Sequence, residues 1–240
     1  MKFIHLSDLH LGLKLFNYDL IEEQRDALSQ IVEQVKQERP DAVVVAGDVY
    51  DKSIPSADAL ELFDDFLNEI NEASPNTRLM TISGNHDSAT RLDQYRRFLS
   101  RMNVHMVGLP PQRPDERIEK VVVEDEYGVV NFYLLPFVKP TSVKEIGGGD
   151  EKGNNLAYEE SLRRLLARED IDPTERNVLV SHQFYYPSGQ SPDSVERMES
   201  ETYGISVGNV DAASSDLLNA FDYAALGHIH KPWSLGGDPC

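Results

Sequence analysis

The residues most able to do chemistry in this chain gather where apolar runs stop. Gly84-Asn85-His86-Asp87 follows the apolar run at 79–82 and sets an amide, an imidazole and a carboxylate side by side, with Gly84 permitting the turn. Four more runs end in the same manner: 3–6 in Ser7-Asp8-Leu9-His10, 42–46 in Gly47-Asp48-Val49-Tyr50-Asp51, 178–180 in Ser181-His182, and 223–226 in Gly227-His228-Ile229-His230. Imidazole nitrogens, carboxylates and an amide oxygen suit divalent ions such as Mn²⁺, Fe²⁺ or Zn²⁺, and the lack of thiolates disfavours a structural zinc site. Asp8, His10, Asp48, Asn85, His182, His228 and His230 are too many donors for one ion. They suit two ions about 3.5 to 4 Å apart, which can clamp the attacking and leaving oxygens of a phosphoryl group. Five of the seven histidines fall in these clusters, and the other two, His5 and His105, are expected to be packed, hydrogen-bonded strand residues.

These positions require a layered scaffold. Residues 19–39 carry apolar side chains at helical spacing and are closed by Pro40; 42–46 is valine-rich, as in a strand covered on both faces; Ser56 is a suitable N-cap for a helix to about residue 72. Strand, helix, strand, helix, strand predicts parallel strands whose ligands collect outside their carboxyl ends. A helix is predicted over 93–102 and a short strand over 104–107. Segments 118–124 and 129–137 read as a hairpin around 125–128, which points to a second, more antiparallel sheet. The glycine-rich stretch 147–155 lacks the ending of a phosphate-cradling loop, 158–168 reads as a helix, and 183–210 forms a long excursion suited to shaping a cleft.

Composition sets limits on function. The 240 residues fit a single domain, 1–240, and 41 acidic against 23 basic residues give a formal charge of −18. Such a chain does not hold nucleic acid by bulk attraction, so an anionic substrate needs local help from divalent ions or a basic partner. One cysteine, Cys240, and no run approaching the roughly 18 apolar residues of a membrane span point to a soluble, cytoplasmic protein.

Asp8-Leu9-His10, Gly47-Asp48 with Asp51, Gly84-Asn85-His86-Asp87, His182 and Gly227-His228-Ile229-His230, in this order, resemble the signature of the calcineurin-like metallophosphoesterases. Within them the flanks, His5 to Gly12, Gly84 to Ser88 leading to Arg91-Leu92, and Phe221 to Pro232, are most similar to the SbcD-type component of the bacterial double-strand-break repair nuclease. The resemblance implies a two-sheet α/β sandwich flanked by helices, a four-layer αββα fold. It implies that Asp8, His10 and His230 bind one ion, that Asn85, His182 and His228 bind the other, and that Asp48 bridges them, the metal most naturally being Mn²⁺, with Fe²⁺, Zn²⁺ or Mg²⁺ as alternatives. His86 would face the scissile phosphate as the catalytic residue. Asp51 and Asp87 would either orient histidines and backbone or serve as turn residues, and Arg91 would contact substrate phosphates or lie on a solvated helix face. The implied activity is metal-dependent hydrolysis of DNA in repair and recombination, with an SbcC-type ATPase as partner; a homodimer is compatible with it and a membrane has no part.

Two other readings use the same residues. A phosphatase or cyclic-nucleotide phosphodiesterase would share the fold and ligands, whereas a non-catalytic scaffold should have lost ligands. Relative to the resemblance, the chain is expected to lack the final strands and capping region.

Overall fold

The computed structural model describes residues 1–149, 152–190, 211–230 and 235. In chain order its elements are β1 (Phe3–Leu6), a small hairpin of β2 (Lys14–Leu15) and β3 (Tyr18–Asp19), α1 (Ile21–Glu38), β4 (Ala42–Ala46), α2 (Ala57–Ala73) and β5 (Arg78–Ile82). Then come α3 (Ala89–Leu92), α4 (Arg96–Leu99), β6 (Val104–Val107), β7 (Glu119–Asp125), β8 (Gly128–Leu135), α5 (Lys144–Gly147), α6 (Tyr158–Leu166), β9 (Arg176–Ser181), β10 (Phe184–Tyr186), β11 (Ala212–Ser214) and β12 (Tyr223–Leu226).

Two four-stranded sheets form the centre. The first runs β1-β4-β5-β6, all parallel; the second runs β12-β9-β8-β7 and is parallel except for the β7-β8 hairpin. The second sheet is thus mixed, with the predicted antiparallel hairpin at its edge and two parallel pairings behind it. Between the sheets lies a shared core that includes Val44, Met80, Ile82, Phe132, Leu134, Val178 and Val180. The outer face of the first sheet is covered by α1 and α2 through Leu28, Val35, Phe63, Phe66 and Ile70, and that of the second by α6 through Leu162 and Leu165. These are the four layers of an αββα sandwich.

The local reasons are legible. Every residue of β4 is buried, as a valine run covered on both faces should be, and each buried valine contributes about 1.5–3 kcal/mol. β1 is only half-buried because it forms the edge of its sheet. Ser56 caps α2 by accepting a hydrogen bond from the Ala59 N–H at 3.3 Å. No described helix is long and apolar enough to cross a membrane.

The helix predicted over 93–102 is broken. Tyr95 takes a left-handed conformation, φ 62°, between α3 and α4, and residues 100–102 tighten into a 3₁₀ turn. Asp93 Oδ1 accepts from the N–H groups of Gly108 (3.0 Å) and Leu109 (3.3 Å), so the chain is tied to the turn after β6 where a continuous helix would have run. The excursion from β9 begins with β10, which pairs in parallel with β11 on its return; residues 191–210 of that predicted segment lie outside the described residues. His5 pairs its Nδ1 with the Tyr223 hydroxyl at 3.3 Å, while His105 is packed in β6 with its Nδ1 buried and without a hydrogen-bond partner among the described residues.

Candidate metal centre

Five strands, β1, β4, β5, β9 and β12, deliver their carboxyl ends to one rim. Beyond those ends the backbone coils sharply: Asp8, His10, Asp48 and His228 all have positive φ, at 55°, 44°, 49° and 84°. For residues with a Cβ this conformation carries strain, which persists where surrounding contacts over-determine it. Here the ladder between β1 and β4 continues past the strands, with the Asp8 N–H donating to Gly47 O at 3.0 Å and the His10 N–H to Asp48 O at 3.0 Å. Gly84 is required by space, not by a left-handed turn: a Cβ there would lie 2.1 Å from Asp48 Oδ1 and 2.4 Å from the Asp48 nitrogen. A Cβ on Gly227 would lie 2.2 Å from Ala46 O and 2.6 Å from His182 Nδ1.

All seven predicted ligands meet. Asp8, His10 and His230 form one side, with His230 Nε2 3.2 Å from Asp8 Oδ1 and 3.1 Å from His10 Nε2. Asn85, His182 and His228 form the other, Asn85 Oδ1 lying 3.2 Å from His182 Nε2 and 2.9 Å from His228 Nδ1. Asp48 stands between them, Oδ2 lying 3.2 Å from His182 Nε2 and 3.7 Å from His10 Nε2. The His228 N–H donates to both Asp8 oxygens at 3.1 Å, tying β12 to β1.

The donor set fits divalent cations. His182 Nδ1–H donates to the Ala46 carbonyl at 2.6 Å, which leaves the Nε2 lone pair aimed at Asp48 Oδ2 and Asn85 Oδ1. A lone pair facing two oxygen acceptors is favourable only with a cation or a proton between them, and a carbonyl-fixed tautomer is the usual support of a metal-binding histidine. Burial is the largest single influence on His182 and opposes its charge, but the hydrogen bond and charge of Asp48, the Ala46 carbonyl and the charge of Asp8 together outweigh it and its pKa is raised. Burial likewise opposes charge on Asp48, and His182 together with the His86 N–H hold its carboxyl below the ordinary value. His228, half-buried, is held down to about 4 by desolvation and then by the neighbouring His182, and burial also lowers His10. Neutral His10 and His228 beside an ionised Asp48 have the protonation states that ligands need, whereas His182 would release a proton to a bound cation.

His86 lies beside the cluster. Its N–H donates to Asp48 Oδ1 at 2.8 Å and its Nδ1–H to the Asp51 carbonyl at 2.9 Å, which leaves Nε2 available on an exposed ring. One ligating atom each of His10, Asp48 and His86 lie within 4.8 Å of one another. Asp51 also brings Oδ1 to 3.9 Å from His10 Nδ1. Asp87 is a buried backbone clamp, accepting from the N–H groups of Val49 (3.1 Å), Tyr50 (2.9 Å) and Gly84 (2.9 Å). Arg91 is exposed on α3 without an ion pair among the described residues, whereas Arg96 is half-buried and pairs with Glu119 at 2.5 Å.

Some supporting residues carry no sequence signal. Gln24, on α1, donates through Nε2 to Leu9 O (3.2 Å) and His10 O (2.8 Å) and accepts from the Gly12 N–H (2.9 Å), fixing the loop that presents His10. Phe137 stacks on His228 and Phe184 meets it edge-on, centroids 6.4 and 5.8 Å away. Phe137 lies in the predicted segment 129–137 and Phe184 in the predicted excursion from residue 183, and neither pattern points to His228.

The chain is 32% identical to the SbcD component of the nuclease SbcCD from Staphylococcus saprophyticus over 238 residues, an overlap that takes in 98% of this chain and 58% of that protein. Among solved structures it is similar to a dimetal phosphatase from Danio rerio (17% identity, 76% of this chain and 69% of that one, TM-score 0.46) and to the GAP50 anchor of the Plasmodium inner membrane complex (15% identity, 83% and 61%, TM-score 0.43). The calcineurin-like phosphoesterase model matches residues 1–232, a span that takes in every residue of the cluster, and the chain belongs to that family.

Proposed function

We propose that this chain is the catalytic domain of a metal-dependent DNA nuclease, a cytoplasmic SbcD-type protein that works with an SbcC-type ATPase in repair and recombination. The observation that carries the hydrolytic reading is the placement of Asp48 between two ligand groups, Asp8-His10-His230 and Asn85-His182-His228. The nuclease reading is supported by the relative named as a component of SbcCD, of whose length the chain spans 58%.

Each group would hold one divalent ion, with Asp48 shared; oxygen and imidazole donors without thiolate suit Mn²⁺. The ions, when bound, supply the Lewis acidity that activates water for in-line attack on phosphorus and offsets the added negative charge. The side chains do the rest. Asp51 O holds the His86 Nδ1–H and so aims Nε2 at the scissile phosphate; in the imidazolium form, where both nitrogens carry hydrogen, Nε2–H can stabilise the transition state or give its proton to the leaving oxygen, leaving the neutral Nδ1–H ring. Phe137 and Phe184 restrict water around His228 and hold its ring against Asn85.

Mn²⁺-loaded protein should degrade linear DNA in preference to p-nitrophenyl phosphate. His86→Ala should keep its metal and lose about 10²–10⁴ in rate, the usual contribution of a positioned acid–base group. Full activity in that variant would remove His86 from the chemistry, and a preference for the monoester would make the protein a phosphatase.

A further inference from the structure

The pairing of β8 with β9 stops just short of the metal rim. Its last partners are Leu135 and Ser181; Pro136, which has no N–H to donate, follows on one strand, and His182 turns its ring to the Ala46 carbonyl on the other. Continued by two residues, the same register would set Phe137 opposite Gln183. A residue paired in a parallel ladder accepts from the N–H after its partner and donates to the carbonyl before it. Gln183 does both with its side chain: Oε1 accepts from the Val138 N–H at 3.2 Å, and Nε2 donates to the Pro136 carbonyl at 2.7 Å. Tyr158, on α6, donates its hydroxyl to the same Oε1. The amide thus extends the sheet past the proline, and at 1% exposure it is a buried polar group whose oxygen and nitrogen are both bonded.

What the amide holds is Phe137. The N–H of that residue donates to the Ser83 carbonyl at 2.9 Å, and the Ser83 hydroxyl donates in turn to Gly108 O at 2.7 Å, so the bracketed loop is also tied to the residue just before Gly84-Asn85. The Phe137 ring stacks on His228 with 29° between the planes. Two further rings meet His228 edge-on, His182 with centroids 5.2 Å apart and Phe184 at 5.8 Å, and these are the chain neighbours of Gln183. One glutamine therefore stands behind three rings that enclose His228. The enclosed ring keeps Nδ1 2.9 Å from Asn85 Oδ1.

We infer that Gln183 is a positioning residue for the Asn85-His182-His228 ion site, acting through Phe137 to fix the plane of the His228 ring. The last torsion of a histidine lies in a broad well, so an imidazole donor needs a support that chooses its orientation. His182 has the Ala46 carbonyl on Nδ1. For His228 the three rings do that work, and Gln183 keeps the stacked one in place. The inference rests on the two-ion reading, which supplies the ion.

Metal-free protein is titrated with Mn²⁺ in a calorimeter, and Asn85→Ala identifies the binding step that belongs to this site. Gln183→Met, close in shape but without the amide, should weaken that step about tenfold or more and leave the other step in place. Phe137→Leu should weaken the same step, and the double variant should be no weaker than the weaker single variant, since the glutamine acts through the ring. Tyr158→Phe takes a hydrogen bond from Gln183 but leaves both of its bonds to the Phe137 loop; it should lower the melting midpoint and keep the Mn²⁺ affinity, which separates positioning from general stability. If melting shows that Gln183→Met does not fold, Gln183→Asn, an amide one methylene too short to reach both peptides, takes its place. Parental affinity in a folded Gln183 variant would overturn the inference. So would equal weakening of both steps, additive losses in the double variant, or the same loss in Tyr158→Phe. The two-ion reading fails separately: wild type that takes up a single Mn²⁺ removes that reading and this site with it, whereas two wild-type steps with an indifferent Gln183 variant remove the inference alone.

Discussion

Replacing Asp87 tests whether the metal rim is held by a buried carboxylate clamp. Its two oxygens accept from three backbone N–H groups, those of Val49 and Gly84 on Oδ2 and that of Tyr50 on Oδ1. Asparagine has the same shape but one oxygen. Its best orientation keeps Val49 and Gly84 satisfied and turns an NH₂ toward the Tyr50 N–H, losing one charged hydrogen bond of about 1.5–3 kcal/mol and weakening two others by about 1 kcal/mol each. Burial pushes the Asp87 carboxyl up, so removing its charge returns part of this, and the net cost for Asp87→Asn is about 2 kcal/mol. Asp87→Ala leaves three donors unpaired at about 1–3 kcal/mol each and should cost about 3–9 kcal/mol. At about 2–4 °C per kcal/mol for a chain of this size, thermal unfolding should fall by roughly 4–8 °C for the asparagine variant and further for alanine. Because Val49 follows Asp48 and Gly84 precedes Asn85, Mn²⁺ affinity measured by calorimetry should fall with it. An asparagine variant melting within about 1 °C of the parent, with unchanged Mn²⁺ affinity, would refute the clamp.

Other outcomes follow from the same geometry. Gly84→Ala places a methyl group on Asp48 and should cost about 1–3 kcal/mol while lowering Mn²⁺ stoichiometry in equilibrium dialysis, since the contacted atoms are backbone and a ligand carboxylate. Mn²⁺ at about a hundred times its Kd should stabilise the fold by about 2.7 kcal/mol, a thermal shift of roughly 5–11 °C, and Asp48→Ala should abolish that shift. Asp125 is held well below its ordinary value of 3.8 first by the Arg176 guanidinium and then by the N-terminal amine, so its contribution is complete above that value and is lost as pH falls through the folded one. Asp125→Asn should therefore flatten the acid limb of the stability curve below about pH 4, as read by urea unfolding across pH.

The layers were legible because apolar runs report burial directly. The all-valine core of β4 and the five strand ends with polar sequels could hardly be read otherwise, and parallel order followed from helices between strands. What escaped was set by distance. The parallel pairing of β8 with β9 joins residues more than forty positions apart, and no local pattern in either strand announces its partner. The break at Tyr95 came from Asp93 reaching the turn after β6, a contact made in space. At the site, residue types pointed to the side chains that the fold brings together, whereas supports such as Gln24 use ordinary side chains whose meaning lies only in what they touch. Asp87, left between two duties by its sequence position, has a backbone one.

The left-handed backbone at Asp8, His10, Asp48 and His228 bears on how this family can drift. Each such position carries about 1–3 kcal/mol of conformational strain, and glycine or asparagine would relieve much of it. Selection for stability alone thus pulls all four positions toward the same two residues, and only retained catalysis pulls back. A descendant that abandoned hydrolysis for scaffolding should show this in its genome: glycine or asparagine accumulating at these four strand ends first, with a higher melting temperature, while the clamp at Asp87 and the layers beneath it persist.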